Sequence, residues 1–227
     1  MLVKNWMSKN PITIDVNASM HDAIKVMKQE NIKLLPALSG DDLVGVITDR
    51  DLKKASASDA TSLDVHELLY LIMKIKVKDI MVKNPITVLE DFTVEETAEV
   101  LFNKKISGVP VTDKSGSIVG VITKSDLFRV IISLTGIGKK GIQLALQIKD
   151  ASGSIKNVTD VIRKYQGRIV SILTSYDQVP WGYRKIYIRF FAMDRNNLEV
   201  LKEEIKDKSL LLYMVDHRED ERFVYEE

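Results

Sequence analysis

The 227-residue chain is 45% hydrophobic and 29% charged, an ordinary globular balance. Its 33 Lys plus Arg offset 32 Asp plus Glu, and a net charge of +1 gives no electrostatic case for nucleic acid or an acidic membrane as partner. It has no cysteine, which excludes a disulfide framework and thiolate chemistry and fits a reducing, cytoplasmic setting.

The N-terminal stretch MLVKNWMSKNP lacks a long apolar core, so no signal peptide is expected. No apolar run approaches the roughly 18 residues of a membrane span. An Asn-Pro step leads into a short β-run, ITI. Ser19 then reads as the N-cap of an amphipathic helix with Met20, Ile24 and Met27 on one face. LLPAL predicts a strand, SGDD a turn, and LVGVIT a short buried strand. A second helix starts at DRDL. The order is β-α-β-β-α.

Residues 57–76 join this block to the next. A small polar loop precedes Leu63, Leu68, Leu69, Leu71, Ile72 and Ile75, which predict a helix with broad apolar surface. His66 is isolated in it. With three His, no Cys and no HExxH spacing, no metal site is expected.

The first block then recurs. VKNWMSKNPITI from Val3 matches VKDIMVKNPITV from Val77, an offset of 74 that holds through Pro36 and Pro110. The offset becomes 75 at Gly45 and Gly120, because the DKSGS turn carries one extra residue. Thr93 is the second N-cap, and Val94, Ala98, Leu101 and Phe102 are read as the inward helix face. GVPVT, IVGVIT and KSDL complete the copy. A repeat of about 50 residues is too long for a solenoid unit and predicts a tandem pair of small domains.

These residues resemble the CBS domain. NPIT, the Pro of LLPAL and GVPVT, and GVITDRDL and GVITKSDL carry the resemblance, twice in register. It implies a paired module with clefts between the repeats that hold AMP, ADP, ATP or S-adenosylmethionine. Residue by residue, it puts Thr48 and Asp51, and Thr123 and Asp126, on ribose and phosphate. A carboxylate, an acceptor with two oxygens, suits a vicinal diol. A hydroxyl and free N–H groups at a helix start suit phosphate. Lys33, Arg50 and Lys124 are the candidate cations. Backbone groups of Ile12, Thr13, Ile86 and Thr87, and of the strands around Leu35 and Val109, are the candidate base pocket. Met7 and Met81 are read as core, with the adenine face as the alternative. T-x-x-D is also a helix capping pattern, and that reading explains Thr and Asp with no ligand.

GIGKKG at 136–141 reads as a flexible boundary. Beyond it, Ile142, Leu144, Leu146 and Ile148 alternate as in a half-buried strand. Ile155, Val158, Val161, Ile162 and Tyr165 have helical spacing, stopped at Gly167. RIVSILTSY and 186–190 are strands, Asn196–Lys206 a helix, and LLLYMV the last strand. The order βαββαβ predicts a ferredoxin-like arrangement and resembles the ACT domain. Asp150, Ser152 and Gly153 stand at that family's ligand turn, without its usual Pro. Trp181 is read as a plug tucked under its loop, with an exposed partner anchor as the alternative, and HREDERFVYEE as a frayed or solvated tail.

The expected architecture is therefore α+β / α/β. It comprises CBS repeat 1 at 1–56, a helical connector at 57–76, CBS repeat 2 at 77–136, an ACT-like domain at 141–217 and a charged tail at 218–227. The combination resembles the bacterial acetoin-utilisation AcuB family. It implies a non-catalytic homodimeric sensor of an adenosine compound that acts on a regulated enzyme or other partner. The alternative is a ligand-free dimerisation or docking scaffold. No catalytic cofactor is expected, because the sequence shows no nucleophile elbow, Walker loop or metal cluster.

Overall fold

The computed structural model describes residues 1–59 and 72–225. The connector positions Leu63, His66, Leu68, Leu69 and Leu71 lie outside the described residues. The chain divides into two compact units, Met1–Phe128 and Arg129–Glu227.

In the first unit, repeat 1 comprises β1 (Ser8–Lys9), β2 (Ile14–Asp15), α1 (Met20–Gln29), β3 (Leu34–Ser39), β4 (Asp42–Thr48) and α2 (Asp49–Asp59). Repeat 2 comprises α3 (Val77–Ile80), β5 (Val82–Lys83), β6 (Val88–Leu89), α4 (Val94–Asn103), β7 (Gly108–Thr112), β8 (Ile118–Thr123) and α5 (Lys124–Thr135). The two N-caps form as expected. Ser19 Oγ accepts the Asp22 N–H and Thr93 Oγ1 the Glu96 N–H, each at 3.1 Å. Each acid reaches back to the cap, closing a capping box. These bonds hold both carboxyls below their ordinary pKa, with Ser19 the main cause for Asp22 and Thr93 for Glu96.

The two repeats exchange their lead-in strands. β5, from repeat 2, pairs with β4 of repeat 1 through Lys83↔Gly45 and Val82↔Val46. β1, from repeat 1, pairs with β8 of repeat 2 through Lys9↔Gly120 and Ser8↔Val121. The sheets are therefore β2-β3-β4-β5 and β1-β8-β7-β6. The cores follow the same exchange. Val77 packs with Ile14, Met20, Met27, Leu35, Ile47 and Leu52, and Val3 packs with Val88, Leu101, Val109, Val111 and Ile122. Neither repeat closes its core alone, because its sheet edge and one buried valine come from the other copy.

Phe102 departs from the expected inward face. Leu101 is 1% exposed and Phe102 is 80% exposed, since one helical step of about 100° carries it past the core.

The second unit holds β9 (Ile142–Lys149), α6 (Ser154–Lys164), β10 (Arg168–Ser175), β11 (Tyr183–Phe191), α7 (Leu198–Lys206), β12 (Leu210–Asp216) and β13 (Glu221–Val224). The sheet order is β10-β11-β9-β12-β13, every pair antiparallel. Val158, Val161 and Ile162 of α6 and Leu201 and Ile205 of α7 pack on Leu144, Leu146, Ile186, Ile188 and Phe190.

Two expectations are corrected here. The tail does not fray: β13 adds an edge strand, with Met214↔Phe223 and Val215↔Arg222 in register, although its residues stay solvent-exposed. Trp181 is not a plug. It is 99% exposed at the tip of a turn in which the Tyr183 N–H donates to the Pro180 carbonyl and Gly182 adopts φ +82. That is the geometry of a type II turn, which points its second residue outward. The division between the two compact units falls inside α5, between Phe128 and Arg129. The Thr135 carbonyl accepts bonds from Arg189 Nε (2.8 Å) and Ser171 Oγ (3.0 Å), which ties the helix end to this sheet.

Candidate functional site

The repeated phrase GVIT-x-x-D-L spans a strand end and a helix start in both copies. Thr48 ends β4 and Asp51 lies in the first turn of α2. Asp51 Oδ2 accepts the Thr48 N–H at 2.9 Å and its hydroxyl at 2.5 Å. In copy two, Asp126 Oδ2 accepts the Thr123 N–H at 2.9 Å and its hydroxyl at 2.7 Å. The capping reading is thus realised at both junctions. In copy one it also leaves Asp51 Oδ1 for a further donor. Thr48 and Asp51 are half-buried, whereas Asp126 is only 7% exposed.

The NPIT segments run between the two sheets. Ile12 and Thr13 follow β1, in the sheet of repeat 2, and precede β2, in that of repeat 1. Ile86 and Thr87 make the reverse crossing, from β5 to β6. Each segment therefore spans the space between the repeats. Asn10 and Asn84 open these crossings in the left-handed conformation, φ 52 and 50, which Asn tolerates better than most residues. Ile12 and Ile86 are 38% and 40% exposed, an apolar surface open to solvent at both equivalent positions. Leu35 and Val109 are fully buried in the two cores, which leaves only their backbone groups for any ligand contact.

The cations are less convergent. The Lys33 carbonyl accepts the Asp49 N–H at 3.2 Å, which brings its backbone to the start of α2. Lys33 also lines a groove between α1 and α2 that includes neither Thr48 nor Asp51. Ser107 occupies the matching place in copy two and accepts the Lys124 N–H at 2.9 Å. Lys33, Arg50 and Lys124 are all exposed.

Met7 and Met81 contact the glycines of the repeated phrase. Met81 packs against Gly45 and Met7 against Gly120, each on the opposite repeat. The linear sequence does not show which Met covers which Gly; its one signal is that both copies carry the Met and the Gly at matching places.

In the second unit, Gly153 takes φ +83 at the start of α6. Ser152 borders a cavity of about 460 Å³ that is also lined by Asn157, Lys208 and Ser209. Asp150 faces Arg184 Nε at 3.5 Å and accepts a 3.4 Å bond from the Tyr176 hydroxyl. Sequence reading missed Arg184 and Tyr176, which approach the turn only through strand pairing. Among the described residues no group of acidic or His side chains is arranged to hold a metal, and no helix is long and apolar enough to cross a membrane.

Comparison with known proteins agrees with the duplicated geometry. The CBS domain family matches residues 3–58 and 77–133. A CBS domain-containing protein of Dictyostelium discoideum is 37% identical over 136 residues, covering 59% of this chain and 93% of that protein. The chain belongs to the CBS domain family. An L-aspartate semialdehyde sulfurtransferase of Methanocaldococcus jannaschii is 36% identical over 130 residues, but the match spans only 23% of that enzyme. Among solved structures, the CBS domain pair of protein MJ0100, in complex with 5′-methylthioadenosine and S-adenosyl-L-methionine, has 36% identity and a TM-score of 0.50. It is covered to 95% and covers 58% of this chain. A putative acetoin utilization protein (AcuB) from Vibrio cholerae shares the fold at 23% identity and TM-score 0.51, covering 62% of this chain and 97% of its own.

Proposed function

We propose that this protein is a non-catalytic sensor that binds an adenosine compound in the clefts between its two CBS repeats. The observation that carries this reading is the crossing of both NPIT segments between the sheets, together with two Thr–Asp pairs at strand–helix junctions. In the proposed sites Asp51 and Asp126 accept the ribose hydroxyls and Thr48 and Thr123 meet phosphate or ribose. The Ile12–Thr13 and Ile86–Thr87 backbones bound the base, and Lys33, Arg50 and Lys124 supply charge. The ligands bound by the MJ0100 pair, which is 36% identical, support an adenosine compound. The second unit, ACT-like in its strand order, reads the orientation of the repeats or docks a regulated enzyme. Such signalling requires the ligand to bind two conformations with different affinity.

Isothermal titration with AMP, ADP, ATP, S-adenosylmethionine and 5′-methylthioadenosine tests the reading. Saturable binding to the wild-type chain is expected, with one site lost in Asp51→Ala and one in Asp126→Ala. Absence of binding across the panel, or unchanged stoichiometry and affinity in both variants, overturns it. The second reading, a scaffold, is favoured by the closed Thr–Asp bonds at both junctions and predicts the flat titration.

A further inference from the structure

The face of the second sheet turned away from α6 and α7 holds a buried charge that plays no part in the proposed clefts. Arg189 on β11 lies opposite Gln143 on β9, and the row continues through Val215 on β12 to Arg222 on β13. Arg189 is 3% exposed. Its Nε donates to the Thr135 carbonyl at 2.8 Å and its Nη2 to Gln143 Oε1 at 2.6 Å, both uncharged acceptors. Its Nη1 is buried without a partner, and among the described residues no carboxylate pairs with the guanidinium. The C-terminus of α5, at Thr135, supplies only about half a negative charge. The rest of the positive charge is unmatched, and an unmatched buried charge is strongly destabilising.

His217 stands two residues past Val215, a spacing that returns an extended chain to the same face. Its N–H donates to the Gly141 carbonyl at 3.1 Å, which keeps it against the lead-in to β9. Its Nε2 is also buried without a partner. The charges of Arg189 and Arg222 both act on it, and the opposing acid, Asp220, is paired with Arg222 at 2.7 Å in solvent. The Tyr213 hydroxyl is on this face too, 3.4 Å from Gln143 Nε2. One corner of the sheet thus gathers two arginines, a histidine and a phenol, and two of its nitrogen atoms are buried with nothing to bond. Arg189 already leans across β9 to reach Gln143, which brings its tip toward His217.

We propose that this corner binds a small carboxylate, held by Arg189 Nη1 and, once its ring is protonated, by His217 Nε2. Two N–H donors from either side of β9 suit the two oxygens of one carboxylate, and the single negative charge matches the guanidinium. Protonation of His217 adds a donor and a charge, so binding strengthens as pH falls. The Asp150–Gly153 turn follows the other end of β9, roughly 24 Å from Gln143 at 3.4 Å per residue, and is a separate place. The inference gives the second unit a ligand of its own and does not depend on the adenosine reading.

The chain has three His, so its ring signals are few enough to follow by NMR in the full-length protein, and His217→Gln assigns the one in question. Sodium formate, which stays ionised throughout, is titrated at pH 7 and pH 5.5 at constant ionic strength. A saturable shift of the His217 signal is expected, with a dissociation constant about fivefold lower at pH 5.5, the small end of ordinary coupling between two sites. Sodium chloride in the same series should give no saturable shift. Arg189→Leu should abolish the formate response, with circular dichroism verifying its fold. Arg189→Lys, which keeps a charge but loses the planar fork, should weaken the response instead. No saturable shift, an equal shift with chloride, an affinity indifferent to pH, or an undiminished response in the Arg189 variants overturns the proposal. Titration of the same samples with adenosine compounds reports the clefts separately.

Discussion

Gly45 of the first repeat lies beneath Met81 of the second, so closely that a β-carbon at Gly45 would overlap the thioether. Gly120 and Met7 repeat the contact in the other direction, and a strand carbonyl backs each added carbon, Val82 at 3.1 Å from Gly45 and Ser8 at 2.9 Å from Gly120. A Met side chain can swing aside, but a paired strand backbone cannot. Gly45→Ala and Gly120→Ala are therefore each expected to cost about 1–3 kcal/mol, the range for overpacking. Urea unfolding measures both. Met81→Ala should recover part of the Gly45→Ala loss, and no loss in either glycine variant would contradict the close approach.

The Thr–Asp caps predict a stability effect separate from any ligand. Removing an N-terminal capping interaction costs about 0.5–2 kcal/mol. Asp126→Ala should fall at the upper end, because Asp126 is buried, and the half-buried Asp51→Ala lower. Thermal melts without ligand check this order.

Lys105 ends the turn after α4 with φ 55, where the first repeat has Asn31 at φ 52. A left-handed Lys carries a steric cost of roughly 1 kcal/mol that Asn or Gly reduces. Lys105→Asn is expected to raise the urea midpoint, with unchanged slope. A lowered midpoint would show that the Lys side chain makes a compensating contact.

His217 makes stability depend on pH near neutrality. Burial first, then the charges of Arg189 and Arg222, lower its pKa below the ordinary 6.5, against a smaller upward pull from Asp220. Its Nε2 is buried without a partner. As pH falls through the ordinary value, the unfolded chain takes up a proton before the folded one, so stability declines. Unfolding measured from about pH 7 to pH 5.5 should show this slope in the wild type and lose it in His217→Gln. The depressed carboxyls of Asp22 and Glu96 act in the same direction, but only as pH falls below their ordinary values, near 4.

Much of this molecule is legible along the chain, because the signals involved are local or duplicated. Ser19 and Thr93 cap helices, and the strand–turn–strand order of each repeat follows from apolar runs between turn residues. The repeat also placed Thr48 and Asp51 beside their twins, Thr123 and Asp126. Phe102 was misread because it adjoins Leu101 in an apolar cluster, and only the packed helix shows which of the two turns inward. The tail is solvated as its charges suggested, but its pairing was missed, because an exposed edge strand is both charged and paired.

The sequence by itself determined the duplication, the element order and the residue types at both strand–helix junctions. These rest on helix caps, turn chemistry and hydrophobic period, each confined to a few neighbouring residues. Only the tertiary structure decided that β1 and β5 change places, that Met7 and Met81 cover the opposite glycines, and that NPIT bridges two sheets. Two copies with the same motifs present similar edges, so local pattern cannot say whose strand completes whose sheet. Packing settles it, because Val3 and Val77 each reach full burial in the core of the other repeat.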